Sequence, residues 1–132
     1  MSQVGSDFIP AGWHDITPRI VVREAQQLIE FVKHVFCATG DYRPDVPCVV
    51  GIGSSKIMIS DAGVRTPSSA FLYVYVADTD ETYARAIQAG ARSLEEPSLM
   101  PYGDRRAMVE DQWGNTWQIA TYLGSLAAQQ GA

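Results

Sequence analysis

The chain has 132 residues, is 46% hydrophobic and 19% charged, and sets ten Lys and Arg against fifteen Asp and Glu for a net charge of -5. That length and composition fit one domain able to bury a core without metal or disulfide staples. The acidic balance, with Arg105–Arg106 as the one adjacent basic pair, gives no footprint for nucleic acid or anionic lipid. No stretch approaches the apolar length of a membrane span, and no basic segment precedes an apolar run as in a signal peptide. The two cysteines, Cys37 and Cys48, form no CxxC pair and read as small core hydrophobes. A cytoplasmic protein with reduced thiols is expected.

Residues 1–13 are small and polar and read as a flexible arm. The β-branched run ITPRIVV, 16–22, predicts a strand, with Pro18 marking its start or an edge. Leu28, Ile29, Val32, Val35 and Phe36 then recur at helical spacing, so a helix is predicted from near Glu24 to before Gly40. Short strands are predicted at 38–42, 48–52 and 57–60, with GIGSSK, 51–56, as a hairpin turn. FLYVYV, 71–76, is the clearest strand. A second helix is predicted at 79–89, with Tyr83, Ala86, Ile87 and Gly90 on its apolar side and Gly90 as its stop. Strands near Ser93, at 107–110 and at 116–121 follow, and residues 123–132 read as a tail or frayed helix.

The order β, α, β, β, β occurs twice. Val21 answers Val76, and Leu28 and Val32 answer Tyr83 and Ile87, at an offset of about 55 residues. The fold class is therefore α+β, built from two βαβββ modules at about 14–61 and 70–122 of a single domain, 14–122. Neither module can cover both faces of its sheet alone.

Six segments carry a family resemblance: TPRIVV at 17–22, LIEFVKH at 28–34, LYVYVADTD at 72–80, AGA at 89–91, YGDR at 102–105 and EDQWGNTWQIAT at 110–121. Their order and spacing resemble the vicinal oxygen chelate superfamily, which includes glyoxalase I, extradiol dioxygenases and bleomycin-resistance proteins, with the PhnB-like subgroup nearest. The resemblance implies curved mixed sheets, each enclosing a pocket, and a homodimer. In metal-using members it implies four ligands, mostly His and Glu, which suit a divalent cation.

Here those positions fall at Ile16 or Thr17, at Met58 or Ile59, on or beside Leu72, and at Gln118, none a usual ligand. The chain has two His, and His34 lies on the first helix. Asp61, Glu110 and Asp111 sit near strand ends and read as solvated surface. No metal and no cofactor is therefore expected, and catalytic residues cannot be named.

The candidate ligand-binding residues are His14, Tyr73, Tyr75, Tyr102, Arg105, Trp117 and Gln118. His14 is either a polar group at the pocket mouth or surface. Tyr73 and Tyr75 line the pocket if the strand lies in one register and join the core if it slips by one, and Trp117 and Gln118 pose the same alternative. Gln118 in a ligand position can hydrogen-bond a small molecule. Tyr102, Asp104, Arg105 and Arg106 are read as a loop, in which Arg105 either clamps an anion or fixes the turn with Asp104. Trp13 and Trp113, in the arm and a turn, suggest an interface or a stacking wall. Glu95 and Glu96 point apart and read as solvated. GIGSSK lacks the pattern of a dinucleotide loop, and no GxSxG elbow occurs. The expected function is metal-free binding of a small molecule, of sequestration or antibiotic-resistance type, with a metal-dependent lyase, isomerase or dioxygenase as the alternative.

Overall fold

The computed structural model describes residues 8–124. The first seven residues of the expected arm, and all but the first two of the expected tail, lie outside the described residues. The chain divides into two compact units: residues up to Lys33 with Cys37–Ser68, and His34–Phe36 with the residues from Ser69 onward.

In the first unit β1 (Arg19–Val22) leads into α1 (Ala25–Phe36), then β2 (Cys48–Ile52) and β3 (Ser55–Asp61). The sheet order is β1-β3-β2, with β1 parallel and β2 antiparallel to β3. Ile20, Leu28, Ile29, Val32, Val50 and Ile59 are fully buried and form this unit's core. The α1 stripe seen in the sequence is the buried face, because a 3.6-residue repeat places those side chains on one side.

The strand expected at 38–42 shrinks to one bridge, Thr39 to Gly51. Gly40 explains why: its φ is +124°, and a Cβ there would lie 2.5 Å from the Val49 carbonyl oxygen. Neither that backbone conformation nor that approach continues an extended ladder.

Cys48 is buried, as expected, but Cys37 is exposed. Cys37 terminates α1 in the left-handed region, φ 56°, which strains a residue carrying a Cβ. Cys37→Gly is therefore expected to raise stability by up to about 1 kcal/mol, less the extra backbone entropy glycine brings to the unfolded chain. A rise in the urea midpoint at unchanged slope checks it.

In the second unit β4 (Phe71–Tyr75), α2 (Thr79–Gln88), β5 (Arg92–Leu99), β6 (Asp104–Glu110) and β7 (Thr116–Tyr122) follow in order. The sheet runs β4-β7-β6-β5, with β4 parallel to β7. Its buried side carries Ala107, Val109, Trp117 and Ile119, and the Trp117 ring packs 5.2 Å from Phe36 in the last turn of α1.

α2 is rotated from its expected face. Thr79, Thr82 and Ala86 are buried, while Ile87 is exposed. The threonines win because their hydroxyls are satisfied: Thr79 Oγ1 donates to the Arg105 carbonyl at 2.7 Å and lies 2.8 Å from Thr121 Oγ1. A buried hydroxyl with partners costs little, so apolarity alone does not fix the helix face. Asp78 caps the helix by accepting the Glu81 N–H.

Candidate functional site

Strand register divides the second unit's sheet into two faces. Tyr73 pairs with Gln118, and Gln118 with Met108. Leu72 pairs with Trp117, which is fully buried. Side chains alternate along a strand, so Tyr73, Tyr75 and Gln118 share one face and Leu72, Val74 and Trp117 the other. The tyrosine face is the open one: Phe71, Tyr73 and Tyr75 are 66%, 37% and 61% exposed.

The tyrosines are held by a buried carboxylate. Asp104 is 2% exposed, and its Oδ2 accepts the hydroxyls of Tyr73 at 2.6 Å and Tyr75 at 2.8 Å. The two rings sit 5.4 Å apart at a tilt of 58°. Tyr73 has a single hydroxyl proton, committed to Asp104, so the 3.0 Å contact between Tyr73 and Tyr102 runs with Tyr102 donating. Arg106 in turn donates through Nη1 to Tyr102 at 3.1 Å and through Nη2 to Glu95 at 2.6 Å. A directed chain results: Arg106 to Tyr102 to Tyr73 to Asp104, with Tyr75 entering from the other side.

Burial, then the bonds to Asp104 and Tyr102, push the Tyr73 phenol well above the ordinary tyrosine range. For Tyr75 the bond to Asp104 acts first, then burial, in the same direction. Burial pulls the Arg106 guanidinium down, but Glu95 and Tyr102 outweigh it and the balance is upward. The bonds to Asp104 that raise these phenols are also what fixes their rings. Gln118, half-buried between Tyr73 and Met108, has no hydrogen-bond partner for its amide among the described residues.

The other residues singled out in the sequence lie elsewhere. Trp117 is in the core, and its Nε1–H donates to Asp111 Oδ2 at 2.8 Å. Arg105 takes the helix side of β6, where Asp80 holds its Nε and Nη2 at 3.0 and 3.1 Å. His14 is an exposed residue of the first unit, without a hydrogen bond or ion pair among the described residues. Trp13, also in the first unit, has Lys56 Nζ 5.8 Å from its ring.

Three members of this network lie outside the candidate set drawn from the sequence: Asp104 and Arg106, read there as part of a loop, and Glu95. Asp104–Arg106 belong to β6 rather than to a loop. The Ala107-x-Val109 alternation, extended backward, places 104 and 106 on the face opposite Ala107, and this signal was available. Glu95, read as solvated, is Arg106's partner. Asp111, also read as solvated, is 5% exposed.

The same register tests three of the four expected metal positions; the first, Ile16 or Thr17, lies ahead of β1. Met58 pairs with Arg19 at the surface, whereas Ile59 is in the core. Gln118 pairs with Tyr73, which makes Tyr73, not Leu72, its neighbour on the open face. A thioether, an amide and a phenol held protonated by Asp104 are poor donors for a divalent cation. Among the described residues no three His, Cys, Asp or Glu side chains cluster as metal ligands would. No chemical step is derived through a metal.

Tandem βαβ-based modules, each with a mixed sheet open on one face, define a class of small α+β proteins. The Glyoxalase/Bleomycin resistance protein/Dioxygenase superfamily matches residues 14–119, and the chain belongs to this family. An uncharacterized protein of Mycobacterium bovis is 26% identical over 79% of this chain and 80% of its own, and one of Mycobacterium tuberculosis is 26% identical over 79% and 72%. Among solved structures, a glyoxalase/bleomycin resistance protein/dioxygenase family enzyme from Burkholderia phytofirmans superposes with a TM-score of 0.68 at 21% identity, covering 80% of this chain and 95% of that one. The fosfomycin resistance protein FosX from Mesorhizobium loti gives 0.64 at 18%, covering 89% and 97%. TioX from a Micromonospora gives 0.63 at 19%, covering 82% and 99%. The fold is that of the family. No helix among the described residues is long and apolar enough to cross a membrane.

Proposed function

We propose that the open sheet face of the second unit binds a small planar or peptide-like molecule without a metal, in the manner of a sequestering resistance protein. The observation that carries this is the Gln118 amide, unengaged among the described residues, beside aromatic rings already fixed by Asp104. Rings fixed before binding lose little entropy when a ligand stacks on them, and a free amide supplies both a donor and an acceptor for orientation. Tyr102 and Arg106 serve as positioning residues for Tyr73. In this reading the protein acts as a cytoplasmic homodimer.

The test is an NMR titration of 15N-labelled protein with a panel of planar and peptide-like compounds. The expected result is a saturable shift of the Gln118 side-chain amide, unchanged by chelator. Gln118→Ala is expected to weaken the bound compound roughly tenfold or more, as loss of a buried hydrogen bond does. One equivalent of zinc, nickel or iron after purification without chelator, lost on His14→Ala, overturns the reading in favour of a metal enzyme. Light scattering of the eluting protein tests the dimer, and a mass of one chain at all concentrations refutes it.

A further inference from the structure

The first unit contains a second candidate site, which the sheet-face reading does not use. An open groove of about 430 Å³ lies between the end of β3 and two neighbouring turns, with Ser60 as its one buried lining residue. Arg19, Ser60 and Arg65 line it on the polar side, and Val46, Pro47 and Val64, all solvent-exposed, form its apolar rim.

Its walls are anchored. The segment after β3 is fixed at one end by the Ala62 N–H on the Val22 carbonyl at 2.7 Å. At the other end Ser68 and Val21 exchange hydrogen bonds at 2.9 and 3.3 Å. The opposite turn, Asp45–Pro47, is held by the Cys48 thiol, which accepts the Arg43 N–H at 3.2 Å.

The charges at this cavity are not paired with one another. Arg19 Nε donates to Ser60 Oγ at 3.0 Å, which leaves both Nη groups without a partner among the described residues. Arg65 has no side-chain partner among the described residues. Ser60 is buried and accepts from Arg19, so its own hydroxyl proton remains to be donated.

Two carboxylates also line the cavity, and both oxygens of one of them already accept hydrogen bonds. Asp61 accepts the Ala25 N–H through Oδ1 at 3.1 Å and the Tyr42 hydroxyl through Oδ2 at 2.6 Å. The formal charge of the lining is therefore balanced, two guanidinium groups against two carboxylates, but the two guanidinium groups and the Ser60 hydroxyl keep unused donors, whereas of the two carboxylates Asp61 already accepts on both oxygens. We propose that this cavity binds a small organic oxyanion, a carboxylate or a phosphate monoester, with Arg19 and Arg65 clamping the anionic group and Val46, Pro47 and Val64 contacting its apolar body.

The experiment titrates the 15N-labelled full chain with benzoate, with phenyl phosphate and with neutral benzyl alcohol. Saturable shifts at the amides of Val46 and Ala62–Arg65 with at least one anion, weakened by added salt, are expected, and the stronger of the two anions identifies the source. Arg65→Gln should weaken that binding roughly tenfold, in line with the loss of a charge-assisted bidentate contact. Asp45→Asn should strengthen it, because a like charge leaves the cavity. Tyr73→Phe should leave it unchanged, which separates this site from the sheet face. Absence of saturable shifts with both anions overturns the proposal. So does equal binding of benzyl alcohol, or indifference to both Arg19→Gln and Arg65→Gln.

Discussion

Asp111→Ala is expected to cost about 4 kcal/mol of folding stability, from several buried N–H groups left without an acceptor at about 1–3 kcal/mol each and partly relaxed. The Asp111 carboxylate takes the backbone N–H groups of Trp113 and Asn115 on Oδ1, both at 2.9 Å. Its Oδ2 takes the Asn115 side-chain amide at 2.9 Å and the Trp117 indole at 2.8 Å. Asn115 is fully buried, and its Oδ1 accepts the Ala70 N–H at 2.9 Å, just ahead of β4. One carboxylate thus organises the β6–β7 turn and, through Asn115, the entry to β4. Urea unfolding measures the loss.

Trp117→Phe provides the control. It keeps a ring against Phe36 and removes the indole donor. In the Asp111→Ala background it should therefore cost less than in the wild type, by about 1 kcal/mol, because the stranded donor is already lost. Strict additivity, or a loss under about 1 kcal/mol for Asp111→Ala, contradicts the network as the source of stability.

The second large effect concerns ionisation on the open face. In an absorbance titration, Tyr73 and Tyr75 are expected to resist ionisation well past the range of an ordinary phenol. Tyr42 joins them at about 12, held first by its bond to Asp61 and then by burial. Three of the six tyrosines therefore titrate late. Asp104→Asn should bring Tyr73 and Tyr75 back toward the ordinary value and leave Tyr42 where it is.

The stability consequence has a definite sign. A phenol whose folded pKa exceeds its unfolded value of about 10 holds its proton more tightly when folded. Its contribution is complete below that pH and is lost as pH rises through the folded value. Wild-type stability should thus fall on the alkaline side of about pH 10, and Asp104→Asn should flatten that fall. An unchanged tyrosine titration in Asp104→Asn shows that Asp104 does not control these phenols. The same variant is expected to weaken binding at Gln118, since it loosens the rings that Asp104 holds.

The sequence alone determined the order of the elements apart from the strand expected at 38–42, and the buried stripe of α1, because a period of 3.6 admits one apolar face and Leu28, Ile29, Val32, Val35 and Phe36 occupy it. It also placed Trp113 in a turn, though not that the neighbouring Asp111 carboxylate is buried. Tertiary structure decided which way the strands of the second unit face. FLYVY alternates aliphatic with aromatic residues, and either set can serve as core, so strand periodicity is silent. Pairing with Trp117 commits Leu72 and Val74 inward and leaves Tyr73, Tyr75 and Gln118 outward. That choice also separates Arg105 from Arg106, neighbours in the chain that end on opposite faces, one bound to Asp80 and the other feeding the tyrosine network. The physical reason is the period of two along a strand: a shift of one residue exchanges the two faces completely, and only contacts between distant segments select one.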